Sequence, residues 1–340
     1  MISRFFHNWE RQLASVDTNR VVRPFEWGLD WLGGDPADPH PRDRVREWTR
    51  EAMADSVRFY DLPEIDAFER RGDVLTFPSA LVTPYEANNL VSVGIYPGRE
   101  PAGSRRRRAV IVLPQWNADA GGHVGLCRLF ARFGLTALRL TLPYHDERRP
   151  AELERADYIV SSNIGRTLQA NRQAVLDARR TVQWLVREGF EHIGIMGTSL
   201  GSCLSMLTMA HDSRIAVGAF NHVSPFFADV VWRGLSTRHV RDGLDGHISL
   251  DELRECWMPI SPWPFISRIR GRRALLVYAR YDLTFPVDLS RQFVQEFTRC
   301  GVAHRVGVLP CGHYTTGRPP FSYLDAYYLT NFFLKNLRGT

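Results

Sequence analysis

His192-Ile193-Gly194-Ile195-Met196 runs directly into Gly197-Thr198-Ser199-Leu200-Gly201, and a helix-forming stretch, Ser202–His211, follows. The order is an apolar strand, a tight turn of the form G-x-S-x-G, then a helix. A serine held in such a turn sits at a strained backbone angle, so the residues two before and two after it must be small. The helix aims its free N–H groups and the positive end of its dipole at the spot where an oxyanion would form. The motif alone occurs by chance in many chains. The strand before it and the helix after it are what point to Ser199 as a nucleophile.

A nucleophile in this setting is usually followed along the chain by an acid and then a histidine. Arg273–Tyr281 (RALLVYARY) reads as a short buried strand, with Asp282 in the turn after it, closed by Pro286. His304–Pro310 (HRVGVLP) reads as another, and Cys311-Gly312-His313 follows. Each candidate stands just past the carboxyl end of a strand, so all three can meet on one rim of a parallel sheet. Taken singly, Asp282 is a turn former and His313 a loop histidine. In this order, 83 and then 31 residues apart, they read as a triad. Ser199 attacks, His313 takes and returns the proton, and Asp282 fixes the imidazole tautomer. Asp288 is an alternative acid, although it falls in a predicted helix.

These residues resemble the α/β-hydrolase superfamily, over roughly Asp73 to Leu337. A narrower similarity is to the branch labelled alpha/beta hydrolase domain-containing protein 18. It is carried by Leu142-Pro143-Tyr144-His145 with Pro150 beyond, the helix end Trp184–Gly189, and Gly312-His313-Tyr314. The resemblance implies a serine hydrolase of unspecified substrate. Where members of the superfamily often carry His-Gly after the third strand, this chain has Pro114-Gln115. The donor that normally follows that pair maps to the backbone N–H of Trp116, with the N–H of Leu200 as its partner in an oxyanion hole.

Outward from the elbow, strand and helix patterns alternate. Val74–Thr83 and Leu90–Tyr96 suggest an antiparallel pair around the polar turn Pro84–Asn89. Strand Ala109–Leu113, a helix near Val124–Arg132, strand Thr136–Thr141 and the long helix Arg166–Glu188 lead into the elbow. Ile215–His222 is the next strand, and helices Val287–Cys300 and Phe321–Leu337 complete the layers. The fold class is therefore α/β: a mostly parallel central sheet with helices on both faces. Residues 1–72, with Trp9, Trp27, Trp31 and Trp48, are expected to form a helical N-terminal extension to a hydrolase domain spanning 73–340.

About fifty residues without a clear strand, Pro225 to Gly271, interrupt the alternation. So long a connection is seldom mere loop, and it is expected to form a helical lid. Helical pieces are predicted at Phe226–Leu235 and Ser249–Cys256, the second opened by the capping pattern Ser249-Leu250-Asp251-Glu252. Its aromatics either fix the cap to the sheet or line an acyl pocket; Trp257 and Trp263 are the expected pocket residues. Other candidate substrate contacts are Gln115, Tyr144 (whose hydroxyl suits an oxyanion hole) and His222 at the end of its strand.

Composition narrows the class further. The 340 residues are 44% apolar and 24% charged, enough for a large buried core. Five cysteines form no C-x-x-C pair, which suggests no disulfide framework and a reducing cytoplasm. Cys311, two residues before His313, is a candidate redox-sensitive thiol. The N-terminus lacks a signal-peptide core and no stretch is long enough to span a bilayer, so a soluble intracellular protein is expected. The net charge of +6 and the run Arg105-Arg106-Arg107-Arg108 invite a nucleic-acid partner. Yet Lys335 is the only lysine, a skew that codon bias in a GC-rich bacterial genome produces. The run directly precedes a strand and is read as its solvated approach, with no zinc-finger, RNP-type or basic-helix pattern beside it. Neither H-E-x-x-H nor G-x-G-x-x-G is present, so no metal and no cofactor is assigned.

The expectation is an esterase: hydrolysis of a small-molecule carboxylic ester with an apolar acyl group, through an acyl-enzyme. A peptidase or amidase on the same triad, and a non-catalytic binding protein keeping the fold, are the alternatives. Oligomeric state, including a homo-oligomer, is left open.

Overall fold

The computed structural model describes residues 2–98 and 107–337. Its centre is one nine-stranded sheet in the order β1-β2-β3-β5-β4-β6-β7-β8-β9. The strands are β1 (Glu69–Arg71), β2 (Val74–Pro78), β3 (Leu90–Tyr96), β4 (Arg107–Leu113), β5 (Thr136–Leu140), β6 (Phe190–Thr198), β7 (Ile215–Asn221), β8 (Arg273–Ala279) and β9 (Ala303–Leu309). The pairs β1–β2, β2–β3 and β3–β5 are antiparallel. From β5 through β4, β6, β7 and β8 to β9 every pair is parallel. The expected pair Val74–Thr83 and Leu90–Tyr96 is thus present, shortened at Pro78. The sheet also begins earlier than expected, at Glu69.

The helices are α1 (Ile2–Ala14), α2 (Pro41–Ala54), α3 (Ser56–Phe59), α4 (Val124–Arg132), α5 (Ile164–Arg187), α6 (Leu200–His211), α7 (Phe227–Arg233), α8 (Arg238–Leu244), α9 (Leu250–Cys256), α10 (Val287–Arg299) and α11 (Phe321–Asn336). Side-chain parity along the parallel strands divides the interior in two. Ala109, Ile111 and Leu113 of β4 join one apolar cluster with α5, α6 and α10. Val110 and Val112 of the same strand join a second with Cys127 and Phe130 of α4 and Leu329, Phe332 and Phe333 of α11. Strands buried on both faces read as continuous apolar runs, which is why β4 to β8 stand out in the sequence, whereas the edge strand β9 is half exposed.

Segment 225–271 holds α7, α8 and α9. The capping box at Ser249 is formed: its Oγ accepts the Glu252 N–H while the Glu252 carboxylate accepts the Ser249 N–H. The helix α8 had no clear signal in the sequence. Arg105 and Arg106 lie outside the described residues. Arg107 lays its guanidinium 4.0 Å over the Phe190 ring, and Arg108 donates to the Gly134 carbonyl at 3.3 Å, so both are engaged within the protein. All five cysteines are free and buried. Burial pushes the Cys311 thiol up to about 12, leaving no thiolate at neutral pH and removing the redox reading. Among the described residues no helix is long and apolar enough to cross a membrane.

Candidate active site

Six non-glycine residues have positive φ among the described residues: Asn117, His123, Tyr144, Asp146, Ser199 and His222. All stand in the connections leaving the carboxyl ends of β4, β5, β6 and β7. Backbone strain of this sort persists where surrounding structure enforces it and tends to gather at working sites. Ser199 has φ 57° and ψ −118°, and opens α6. The small neighbours are a steric necessity. A Cβ at Gly197 would stand 1.8 Å from the Gly201 carbonyl oxygen, and one at Gly201 2.2 Å from that of Leu113. The Ser199 N–H donates to the Asn221 carbonyl at 2.8 Å, and Ser202 Oγ donates to the carbonyls of Ser199 and His222, both at 2.7 Å. Ser202 therefore braces the turn from within the helix.

Asp282 follows β8 and His313 follows β9, and the two meet: His313 Nδ1 lies 3.0 Å from Asp282 Oδ2. Asp282 Oδ1 accepts the backbone N–H groups of Thr284 at 2.8 Å and Phe285 at 2.7 Å. Phe285 also stacks on the His313 ring, with centroids 5.3 Å apart and planes 5° apart. His222 supplies a contact the sequence reading did not foresee. It is 1% exposed, and its Nδ1 lies 2.8 Å from the same Asp282 Oδ2. It is a partner of the carboxylate and not a substrate contact. No hydrogen bond joins Ser199 to His313 among the described residues, although both line one cleft. Such contacts are often long without substrate and tighten when it binds.

The charges follow from this geometry. Burial alone would raise the Asp282 carboxyl, but the His313 charge and the two imidazole N–H bonds outweigh it and hold it well below the usual range. Burial likewise works against a charged His313, yet Asp282 and, more weakly, Glu10 leave it raised above its ordinary 6.5. His222 is lowered by burial and by His313, against the pull of Asp282, and so is neutral at neutral pH.

His222, Asp282 and His313 also have ligand-type atoms within 4.8 Å of one another. Around a tetrahedral ion, nitrogen and oxygen ligands stand roughly 3.4 Å apart, from bond lengths of about 2.0–2.2 Å. Separations of 2.8 and 3.0 Å are those of N–H···O bonds instead.

The N-terminal helix reaches this site. Glu10 of α1 is fully buried, and its carboxylate accepts the N–H of Tyr314 and the N–H and Oγ1 of Thr315, each at 2.9 Å. Phe6 stacks on Tyr281, beside Asp282, at 4.7 Å. One helix thus clamps the turns that carry Asp282 and His313. A lone glutamate on an amphipathic helix gives no sequence signal of this. A buried N–H left without an acceptor costs about 1–3 kcal/mol. Glu10→Ala is expected to lower the thermal midpoint clearly, with Glu10→Gln milder; equal midpoints for Glu10→Ala and wild type would remove the clamp.

Ser199 opens onto two cavities. One is a cleft of about 710 Å³, lined by Gln115, Asn117, Arg155, His313 and Tyr314 among others, with Asp17, Asn19 and Arg20 from the N-terminal segment. The other is a pocket of about 40 Å³ behind Leu200, with Phe226, Phe227, Val230 and Phe285 in its wall. Gln115 lines the larger cleft. Tyr144 does not: it is wholly buried between Tyr85 and Tyr158, and its backbone N–H bonds Asn88. Trp257 is also wholly buried, donating Nε1–H to the Ile164 carbonyl at 3.3 Å. Trp263 stacks on Phe226 and lines neither cavity. The two tryptophans therefore anchor segment 225–271, and the aromatic pocket lining it gives is Phe226 and Phe227. Asp288 is exposed and paired with Arg233 at 2.8 Å, away from the site. Leu200 begins α6, so its N–H has no acceptor within the helix. Trp116 lines both cavities beside Ser199.

No family model matches the sequence, and no curated protein matches it either. Solved structures do. An acylaminoacyl peptidase of Pyrococcus horikoshii superposes with a TM-score of 0.62 at 14% identity, over 81% of this chain and 43% of that one. Acetyl xylan esterase 1 from Thermoanaerobacterium sp. gives 0.60 at 13% identity, over 87% and 98%. An esterase of Pyrococcus furiosus gives 0.55 at 14%, over 82% and 98%. This chain spans less than half the length of the peptidase. At such identities the likeness is one of fold, and the fold is that of the α/β hydrolases.

Proposed function

We propose that the protein is a serine hydrolase that cleaves carboxylic esters through an acyl-enzyme, with Ser199 as nucleophile, His313 as base and then acid, and Asp282 as its orienting partner. The observation that carries this is the hydrogen bond from His313 to the buried Asp282, with His313 and the strained Ser199 lining one cleft. Ser199 Oγ attacks the ester carbonyl and its proton passes to His313 Nε2. The tetrahedral oxyanion is held by the N–H groups of Leu200 and Trp116. Collapse breaks the bond to the alcohol, which leaves with the proton from His313. Water then repeats the sequence on the acyl-serine. Ester is preferred to amide because an alkoxide needs less protonation to depart. Segment 225–271 acts as the lid over the acyl group. Covalent labelling by a fluorophosphonate probe, then turnover of matched aryl esters and anilides, tests the reading. Absence of labelling on folded protein would return the chain to a binding role, and faster anilide than ester turnover would make it an amidase. Activity is expected to survive dialysis against EDTA.

His313 must be neutral to act as base, and its charged form is favoured here. The acid limb of kcat/KM is therefore expected above the ordinary histidine value of about 6.5. His222 sharpens the test. Its N–H stabilises the Asp282 charge, so its removal leaves a more basic carboxylate that holds the His313 proton longer. His222→Ala is expected to move the acid limb to higher pH, and His222→Asn, which keeps a donor, to restore it in part. An unmoved limb with a lower melting temperature would make His222 purely structural.

A further inference from the structure

The two cavities at Ser199 differ in chemistry as well as size, and the histidine decides which part of a substrate enters which. His313 lines the large cleft and not the small pocket. The group that takes the serine proton must return it to the departing oxygen, so the leaving group lies on the His313 side. The acyl group is then left to the pocket behind Leu200. This assignment rests on the hydrolase reading above.

Trp116 is the partition. Its indole Nε1–H donates to the Ala156 carbonyl at 2.8 Å, and its ring stacks on His239 at 5.7 Å with planes 4° apart. It is braced from two directions and stays between the compartments. The acyl side is walled by Val160, Leu200, Phe226, Phe227, Val230 and Phe285. Its volume of about 40 Å³ compares with roughly 10–15 Å³ for one water-sized probe and about 150 Å³ for a cavity that admits benzene. That is room for an acyl chain of about two to four carbons. The cleft is of the opposite character, with Arg20, Arg149, Arg155, Asp119, Glu147 and Glu154 in its wall. An apolar alcohol would strip water from the polar groups that face the cleft and give no hydrogen bond in return.

We infer that the substrate is an ester of a short acyl chain with a large hydrophilic alcohol, one bearing several hydroxyl or charged groups. The bond to that alcohol breaks as the acyl-serine forms, the alcohol leaves with the His313 proton, and water releases the short carboxylic acid. No other reactant is required.

The test uses the full chain and two substrate series, below micellar concentrations. With p-nitrophenol as common leaving group, kcat/KM is expected to fall at least tenfold from butyrate to octanoate. With acetyl as common acyl group, acetylated sorbitol is expected to exceed cyclohexyl acetate at least tenfold. Phe226→Ala and Val230→Ala, both at half-buried positions, should each raise the octanoate-to-acetate ratio at least tenfold by opening the pocket. Octanoate turned over as well as acetate by the wild type, or cyclohexyl acetate as well as acetylated sorbitol, would overturn the partition. The fluorophosphonate probe separates the two levels: Ser199 labelled beside a flat profile overturns the partition alone. No labelling and no ester turnover overturns both.

Discussion

Ser199→Ala is expected to abolish ester turnover, by a factor on the order of 10⁴–10⁶, while the protein remains folded. The size follows from what the hydroxyl does and does not touch. Its oxygen is the attacking atom in the proposed reaction. The elbow itself is held by other groups: the Ser199 N–H on Asn221, the Ser202 hydroxyl beneath it, and the close approach of Gly197 to Gly201. None of these needs the Ser199 side chain. The variant should therefore match wild type by circular dichroism and thermal melt, and lose labelling by the fluorophosphonate probe together with turnover. A folded sample with even a tenth of wild-type activity would sink the assignment. His313→Ala should be of similar severity, because the proton of the nucleophile then has no acceptor.

Much of this arrangement is legible in the sequence, for local reasons. The elbow can be read because its glycines answer to backbone clashes a few residues away, and those clashes are fixed by the turn itself. The strands can be read because β4 to β8 are buried on both faces along most of their length and their apolar runs are nearly unbroken, while the half-exposed edge strand β9 shows only its Val306–Leu309 end. Asp282 and His313 are found by their place after such strands. Long-range packing is not legible in this way. His222 ends a strand like the others, but its side chain turns to Asp282 only because β7 and β8 pair with Asn221 opposite Val277. Glu10 lies about three hundred residues from the turn it holds, and an amphipathic helix without partners does not announce its target. The tryptophans of segment 225–271 mislead for a related reason. A large apolar ring signals burial, and whether it faces a cavity or a neighbouring helix is settled by tertiary packing. Trp257 went to the anchor, and the smaller Phe226 and Phe227 to the pocket.

Asp282→Asn is expected to cost about 10⁴ in turnover, with little change in stability, and the hydrogen bonds say why. Oδ1 of Asp282 accepts two backbone N–H groups, from Thr284 and Phe285, and neither can become an acceptor. The amide of asparagine must therefore keep its oxygen at that position. Its NH₂ is then forced to the place of Oδ2, facing Nδ1 of both His313 and His222. A donor there requires each imidazole to present an unprotonated Nδ1, which moves the proton of neutral His313 to Nε2. The ring would then offer Ser199 an N–H in place of a lone pair and could not take its proton. Asp288→Asn, at the exposed pair with Arg233, should leave turnover near wild type. Kinetics on both variants, with proton-coupled nitrogen NMR of the histidines in Asp282→Asn, would read the tautomer directly. Near-normal activity of Asp282→Asn beside a loss in Asp288→Asn would move the acid to position 288. An Nδ1-protonated His313 in an inactive Asp282→Asn would mean that the carboxylate acts through its charge and not through the tautomer it selects.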